Sequence, residues 1–221
     1  MKITRDKNFK KYNFDITILS FPSNTNLTNM ILANIMGKLK PKIIAKASFD
    51  ELPVAIVSGG NIFSPSIDFY YKKINGNSYC FVIANYKPRE IEAYKKIYEI
   101  IKRSNEIIIL NEVKGSEFFY IRNEHRKPKI KLDKIKTKFK KIDNAIIKGI
   151  PAFVFDAAKK DKNNITVLFF NTNPESIEDG IKIFNDAINI DVKIDELEKK
   201  QITQSKSQEN KSKNNKFSYV G

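Results

Sequence analysis

Residues 14–71 constrain the fold more than any other part of the chain. The apolar run from Phe14 to Ser20 predicts a strand that is buried on both faces. A helix is predicted from Leu27 to Leu39 and a second strand at residues 43–48. Strand, helix and strand in this order open a βαβ unit. We therefore predict an α/β fold, a layered sheet with flanking helices. The Phe21-Pro22 turn is either near a functional edge of this sheet or only the turn that ends the first strand.

The predicted first helix carries its own start and stop signals. Ser23, Asn24 or Thr25 can cap its first turn by accepting a backbone N–H bond. Gly37 near its end and Pro41 just beyond it mark the stop. The segment from Phe21-Pro22 to Pro41 is therefore predicted to be a turn followed by one helix.

Apolar runs and turn residues predict the remaining elements. Further strands are predicted at residues 54–58, 62–63, 68–71, 79–84, 106–110, 118–121 and 165–170. Because Pro65 interrupts the preceding run, strand 68–71 is predicted to lie at a sheet edge, and strand 79–84 to be central. Further helices are predicted after Pro88, at 132–139 and 152–159, after Pro174 and at 192–200. The helix after Pro88 is expected to bury a stripe of Ile91, Tyr94, Tyr98 and Ile101.

Length and composition indicate one cytoplasmic domain with a tail. Residues 1–12 are polar and are predicted to be a frayed lead-in, 13–200 form the domain, and 201–221 form a flexible tail. The lone cysteine, Cys80, excludes an internal disulfide and favours a reducing compartment. No signal-peptide core or run of 18 apolar residues is found, so no membrane association is predicted.

The net charge of +15 raises the question of nucleic-acid binding. Only five of the 40 basic residues are arginines, the residue that dominates specific base and phosphate recognition. The lysines are spread along the whole chain, and the densest group, residues 127–141, lies in a polar segment. We interpret the charge as a compositional bias on solvated surfaces, and nucleic-acid binding remains an alternative.

The sequence contains few residues suited to catalysis. The single histidine, His125, lies in a basic loop, and Cys80 falls within a strand, where it is expected to be a small core residue. The adjacent carboxylates Asp50-Glu51 and Asp195-Glu196 are interpreted as surface residues. No phosphate-binding loop or metal-ligand spacing occurs. We therefore predict no catalytic residue, no metal and no cofactor.

The order of these features resembles that of the archaeal-type proteasome assembly chaperone family over residues 14–200. The matching segments are Phe21-Pro22, residues 38–45, 48–53 and 60–65, Phe69-Tyr70-Tyr71, residues 81–83, 148–152 and 157–159, the Asn171-to-Pro174 helix start, and residues 194–198. One segment departs from the family pattern, because the family follows its Phe-Pro with glycines and this chain has Ser23-Asn24-Thr25. The departure suggests a loop that is rigidified or repurposed.

The resemblance implies an α/β sandwich without enzymatic activity that associates with itself or with a paralogue. It also implies binding to proteasome α subunits during core-particle assembly. Some family members end in a hydrophobic residue, tyrosine and one last residue, which insert between α subunits. The tail of this chain suggests partner-binding residues at its end: Phe217, Tyr219, Val220 and Gly221. Its tyrosine is third from the end rather than second, which adds up to about 3.5 Å of reach.

Two other functions remain open from the sequence. A small-molecule enzyme of nucleoside-phosphorylase-like or hydrolase type could use a similar α/β layout. A lysine-rich nucleic-acid-binding protein would show affinity that falls steeply with salt.

Overall fold

The computed structural model describes residues 1–23, 26–49, 56–58, 61–114, 117–130, 135–136, 139–143, 146–171, 182, 184–186 and 188. At residues 56–58 and 61–63 it describes the backbone alone. The chain divides into two compact units, Met1–Ile190 and Asp191–Gly221, and every described residue belongs to the first. The predicted helix at 192–200 and the predicted tail at 201–221 lie outside the described residues.

A nine-stranded mixed sheet forms the centre of the first unit. Its strands are numbered in chain order, and their order across the sheet is β1 (Lys2–Arg5), β3 (Lys42–Ser48), β6 (Ser66–Ile74), β7 (Asn77–Ala84), β2 (Phe14–Ser20), β8 (Ser104–Val113), β11 (Asn164–Asn171), β9 (Phe118–Asn123) and β10 (Phe139–Lys141). A separate antiparallel pair is formed by β4 (Ile56–Ser58) and β5 (Asn61–Phe63).

The middle of the sheet is parallel. Strand β2 pairs in parallel with β7 and β8, and β11 pairs in parallel with β8. Strand β3 runs in the same direction, because β3 and β7 both pair in antiparallel fashion with β6, which lies between them. Four adjacent strands, β7, β2, β8 and β11, therefore end at the same edge of the sheet.

Three helices whose bounds are described cover the sheet. Helix α1 (Leu27–Leu39) packs on β7, β8 and β2, while α2 (Ile91–Ile101) and α3 (Ile150–Lys160) pack against each other. The buried residues of α2 and α3 share one core cluster with alternate strand residues such as Val82, Ile107 and Val167. Helix α1 buries Leu32 and Ile35 outside that cluster, on the other face of the sheet. Apolar strands covered on both faces are typical of α/β proteins.

The predicted α/β fold is confirmed, and several elements occur where the sequence placed them. The bounds of β2 and α1 are those predicted, and β7 lies between β6 and β2 as a central strand. The strands on either side of the predicted Gly59-Gly60-Asn61 turn pair as β4 and β5, and Gly59 and Gly60 lie outside the described residues. Cys80 is fully buried in β7, as expected of a core residue.

The prediction of a frayed lead-in is wrong. Lys2–Arg5 form β1, which pairs with β3 from Lys2 opposite Ser48 to Arg5 opposite Ala45. A short 3-10 helix, Phe9–Lys11, follows and buries the Phe9 ring. A strand of four residues can contribute one apolar side chain every second position. Periodicity over so short and polar a segment is too weak to predict it.

The prediction that residues 68–71 form an edge strand is wrong, because they belong to β6. It lies between β3 and β7 instead of at an edge. Pro65 stands one residue before the strand, where it removes no ladder hydrogen bond, and its carbonyl accepts the N–H of Phe49 at 3.0 Å. The proline therefore marks the start of an internal strand.

Two helix predictions need smaller corrections. Ile91 is the first residue of α2 and is 58% exposed, while the buried face consists of Ala93, Ile97, Tyr98, Ile100 and Ile101. A helical side chain points toward the N-terminus, so the side chain of the first residue lies before the buried face that begins at Ala93. Within the predicted helix at 132–139, residues 135–136 are helical, but Phe139 begins strand β10.

Candidate functional site

The predicted functional corner lies where the parallel strands end. Phe21 and Pro22 follow the last residue of β2, between the ends of its neighbours β7 and β8. Ligands of open α/β sheets bind outside the carboxyl ends of the strands, which makes these strand ends a candidate site. Phe21 itself is buried, with 6% of its surface exposed.

Asn29 of α1 joins the ends of two strands. Its side-chain oxygen accepts a hydrogen bond from Ser20 Oγ at 2.6 Å, and its Nδ2 donates to the carbonyl of Ala84 at 2.7 Å. Ser20 is the last residue of β2 and Ala84 the last of β7. The amide therefore uses its donor and acceptor sides to bind the helix to both strand ends.

Glu112 of β8 anchors the turn from the other side. One of its oxygens, Oε1, accepts hydrogen bonds from Ser23 Oγ and from the backbone N–H of Thr28, the latter at 3.2 Å. Thr28 lies in the first turn of α1, where unpaired N–H groups and the helix dipole favour a negative charge. A carboxylate from a neighbouring strand thus caps this helix.

Of the three residues predicted to cap this helix, Ser23 alone is described, and it is not the N-cap residue. Asn26 is the N-cap residue, in a left-handed conformation with φ of 53°, and its side chain does not cap the helix. Its Oδ1 accepts the N–H of Ser23 at 3.3 Å, and Ser23 Oγ accepts the N–H of Asn26 at 3.1 Å. Asn24 and Thr25 lie outside the described residues. Ser23 contributes by closing the turn and by binding Glu112.

The corner is a packed turn stabilised by side-chain hydrogen bonds. In the position where the family has glycines, this chain has Ser23, whose hydroxyl donates to Glu112 and accepts the backbone N–H of Asn26. The Ser20 hydroxyl is fully buried and donates to an amide oxygen, which is not a general base. This arrangement can hold the backbone in place but does not present an activated nucleophile.

Replacing Asn29 with alanine is expected to destabilise the fold by about 1–3 kcal/mol, because Ser20 Oγ loses its acceptor and the Ala84 carbonyl loses a donor. The measurement is the midpoint of urea unfolding. Ala33→Ser on the exposed side of the same helix is the control, with a change within about 0.5 kcal/mol. Equal midpoints for the two variants would contradict the role of Asn29.

The other residues considered for chemistry lie apart from this corner. His125 is exposed, with its Nε2 2.7 Å from Asn123 Nδ2. Burial raises the pKa of the Cys80 thiol to about 12, which keeps it protonated at neutral pH. In the described parts of the chain, no group of three or more His, Cys, Asp or Glu side chains is arranged to hold a metal ion.

The carboxylate pairs interpreted as surface residues and the suggested partner-binding residues lie outside the described residues. They are Asp50, Glu51, Asp195, Glu196 and the suggested partner-binding residues Phe217, Tyr219, Val220 and Gly221. Among the helices that are described, none is long and apolar enough to cross a bilayer.

A buried ion pair that was not predicted from the sequence lies at the other end of the parallel strands, near the start of β8. Glu106 is fully buried, and its Oε1 lies 3.0 Å from Nη1 of Arg122, whose side chain is 5% exposed. Arg122 Nη1 also donates to Thr166 Oγ1 at 2.7 Å, while Glu106 Oε2 accepts the N–H groups of Lys129 at 2.7 Å and Ile130 at 3.2 Å. The sequence does place the carboxylate of Glu106 at the start of an otherwise apolar strand, and this could have indicated a buried charge that needs a partner.

Asn164 extends this network into the loop after β9. Its Oδ1 accepts the backbone N–H groups of His125 and Arg126, both at 2.8 Å, and its Nδ2 donates to the Arg126 carbonyl at 2.8 Å. Glu106 and Asn164 therefore bind residues 125–130 to the sheet, where the segment interpreted as a solvated basic region begins.

Comparison with solved structures identifies proteins of the same fold. PbaB from Pyrococcus furiosus, described as an archaeal proteasome activator, matches with a TM-score of 0.69 at 13% identity, over 96% of this chain and 98% of that chain. PbaA from the same organism, described as an archaeal homolog of proteasome-assembly chaperone, matches with a TM-score of 0.64 at 16% identity, over 91% and 97%. A PAC2 family protein from Streptomyces avermitilis matches with a TM-score of 0.60 at 12% identity, over 87% and 94%.

No family model matches this chain, and no curated protein does either. The chain has the fold of the proteasome-assembly-chaperone homologues, and the resemblance predicted from the sequence is confirmed at this level. At identities of 12–16% these matches establish the fold.

Proposed function

We propose that this chain is a non-catalytic chaperone that binds proteasome α subunits and assists core-particle assembly. The observation that carries the proposal is the match to PbaB and PbaA over more than 90% of each chain. Such coverage means that the whole body of the domain is shared. The packed corner at Phe21-Pro22, whose polar groups bond within the fold, fits a scaffold better than a catalytic cleft.

We further propose that partner binding is bipartite. The folded body presents one surface, and the tail from residue 201 carries the apolar end group of Phe217, Tyr219 and Val220. A tether raises the effective concentration of a second binding element near its pocket and can increase avidity by about 10²–10⁴-fold. Association of the body with itself or with a paralogue belongs to the same proposal.

The full-length chain is expected to co-purify with α subunits of the same organism when the two are expressed together. Deleting residues 217–221 is expected to weaken this association at least about tenfold, because the second binding element is lost. Surface plasmon resonance on immobilised α subunits measures the dissociation constant.

The role of the tyrosine is tested with Tyr219→Ala, and Ser218→Ala is its matched control, since it replaces the adjacent residue of the same tail with alanine. Tyr219→Ala is expected to weaken binding and Ser218→Ala to leave it unchanged. If truncated and full-length chains bind equally well, the tail has no docking role. If the full-length chain does not associate with α subunits, the proposed function is wrong.

A further inference from the structure

The edge strand β1 borders an open cleft. Side chains alternate along a strand, so Ile3 and Arg5 point to the same face, the face covered by α2. Together with Met1 and with Lys96 of α2 they line a cleft of about 410 Å³. Its volume lies in the range of small ligand pockets, and its lining combines two apolar side chains with two cations.

Two arginines near this cleft contact one aromatic ring. The guanidinium of Arg5 lies 5.1 Å from the centroid of the Phe9 ring, and that of Arg103 lies 5.3 Å from it. The ring is buried, so it provides a fixed surface against which both guanidinium groups rest. Planar guanidinium groups bind carboxylates through two parallel hydrogen bonds.

The neighbouring carboxylates already have lysine partners. Asp6 lies 3.0 Å from Lys42 Nζ, and on α2 Glu92 and Glu99 lie 2.6 and 2.7 Å from the lysines three residues further along. In the described part of the chain, Arg5, Lys96 and Arg103 have no carboxylate within ion-pair distance. The cleft therefore carries positive charge that no described carboxylate pairs with.

Strand β1 also offers backbone groups. Among the described strands it pairs with β3 alone, so its outer edge has N–H and C=O groups open to another strand. An extended peptide adds to such an edge through main-chain hydrogen bonds, while alternate side chains enter pockets beside it.

We propose that β1 binds an extended acidic segment of a partner protein as an additional strand. One apolar side chain of that segment would enter the cleft between Met1 and Ile3, and its carboxylates would face Arg5 and Lys96. This inference goes beyond the proposed function, since it concerns a different surface from the tail and does not require a proteasome subunit.

The charge favours an acidic partner over a second copy of this chain. Two copies joined through β1 would bring Arg5 and its neighbouring cations close to each other, and positive charge on an edge strand discourages such pairing. The far edge of the sheet differs: on β10, Lys140 and Lys141 lie 3.9 and 3.1 Å from carboxylates of this chain. Among the described residues of the two outermost strands, the cations without a carboxylate partner are therefore those of β1.

The test uses a fluorescein-labelled peptide of alternating sequence, Glu-Val-Asp-Leu-Glu-Val-Asp, titrated with the full-length protein at low salt and followed by fluorescence anisotropy. Arg5→Glu is expected to weaken binding at least about tenfold, because one attractive contact becomes repulsive. Lys2→Glu is the matched control, with the same charge change on the opposite face of the same strand. It is expected to weaken binding less than about threefold.

Three further measurements make the proposal falsifiable. Methylating alternate backbone nitrogens of the peptide is expected to abolish binding, and equal binding would exclude strand addition. Equal effects of Arg5→Glu and Lys2→Glu would show a diffuse electrostatic attraction and would overturn the assignment to the cleft. If a uridine oligonucleotide binds more tightly than the acidic peptide and loses its binding in Arg5→Glu, the surface is assigned to nucleic acid. If Arg5→Glu has a lower molecular mass than the unmodified chain in sedimentation, the surface is assigned to a second copy.

The assay contains no α subunits, so its failure is distinguishable from failure of the proposed function. Circular dichroism of Arg5→Glu is expected to match that of the unmodified chain, because Arg5 is exposed. A folded Arg5→Glu protein that binds the peptide with unchanged affinity would overturn the proposal.

Discussion

Replacing Arg122 with methionine is expected to lower the free energy of unfolding by about 3–5 kcal/mol, because it leaves the Glu106 carboxylate buried without its cation. Glu106 is fully buried, and the Arg122 side chain is 5% exposed. Methionine retains much of the side-chain volume, so the loss comes from the missing charge and hydrogen bonds. For a domain of this size the thermal midpoint should fall by about 6–20 °C.

Arg126→Met is the matched control for this prediction. Arg126 is exposed, and its side chain makes one long contact, 3.4 Å to Asn105 Oδ1, so its loss should cost less than about 0.5 kcal/mol. Adding Glu106→Gln to Arg122→Met removes the stranded charge and should recover part of the loss, which a double-mutant cycle measures. A loss below about 1 kcal/mol for Arg122→Met would contradict a structural role for the pair.

Replacing Phe170 with alanine is expected to cost about 3–5 kcal/mol, because it removes the centre of a buried aromatic cluster. The ring of this fully buried residue of β11 lies 6.0, 5.4 and 6.2 Å from the rings of Phe118, Phe139 and Phe184. These residues come from separate parts of the chain, so the cavity would be lined by side chains that cannot all move inward together. Urea unfolding measures the loss.

Phe155→Ala provides the comparison for Phe170→Ala. Phe155 of α3 is only partly buried, so its removal should cost clearly less than that of Phe170. Phe170→Leu fills part of the space and should also cost less than the alanine variant. Equal losses at positions 155 and 170 would show that the cluster is not a principal part of the core.

Regular elements could be predicted because their signals are local. The apolar run of β2 spans 7 residues and the helical spacing of α1 spans 13, and both elements have the predicted bounds. Cys80 could be assigned to the core from its position in an apolar strand. The order of these elements also carried the resemblance that the structural comparisons confirm as a shared fold.

The candidate sites could be predicted only in part. The sequence indicated the Phe21-Pro22 corner, but the side chains that hold it, Asn29 and Glu112, come from a helix and from a strand about 90 residues away. A local cap was predicted because Ser, Asn and Thr often cap the helix they precede. The carboxylate of Glu112 takes that role because the sheet brings it to the first turn of α1.

The sequence alone determined the α/β class and elements such as β2 and α1, while the binding residues at the end of the tail stay a prediction. The tertiary structure decided the place of β6 inside the sheet, the pairing of Glu106 with Arg122, and the ordering of β1 as an edge strand beside a positively charged cleft. The physical reason is range. Periodicity and capping act over a few residues, whereas strand order, buried charge pairs and clefts arise from contacts between segments that are distant in the chain.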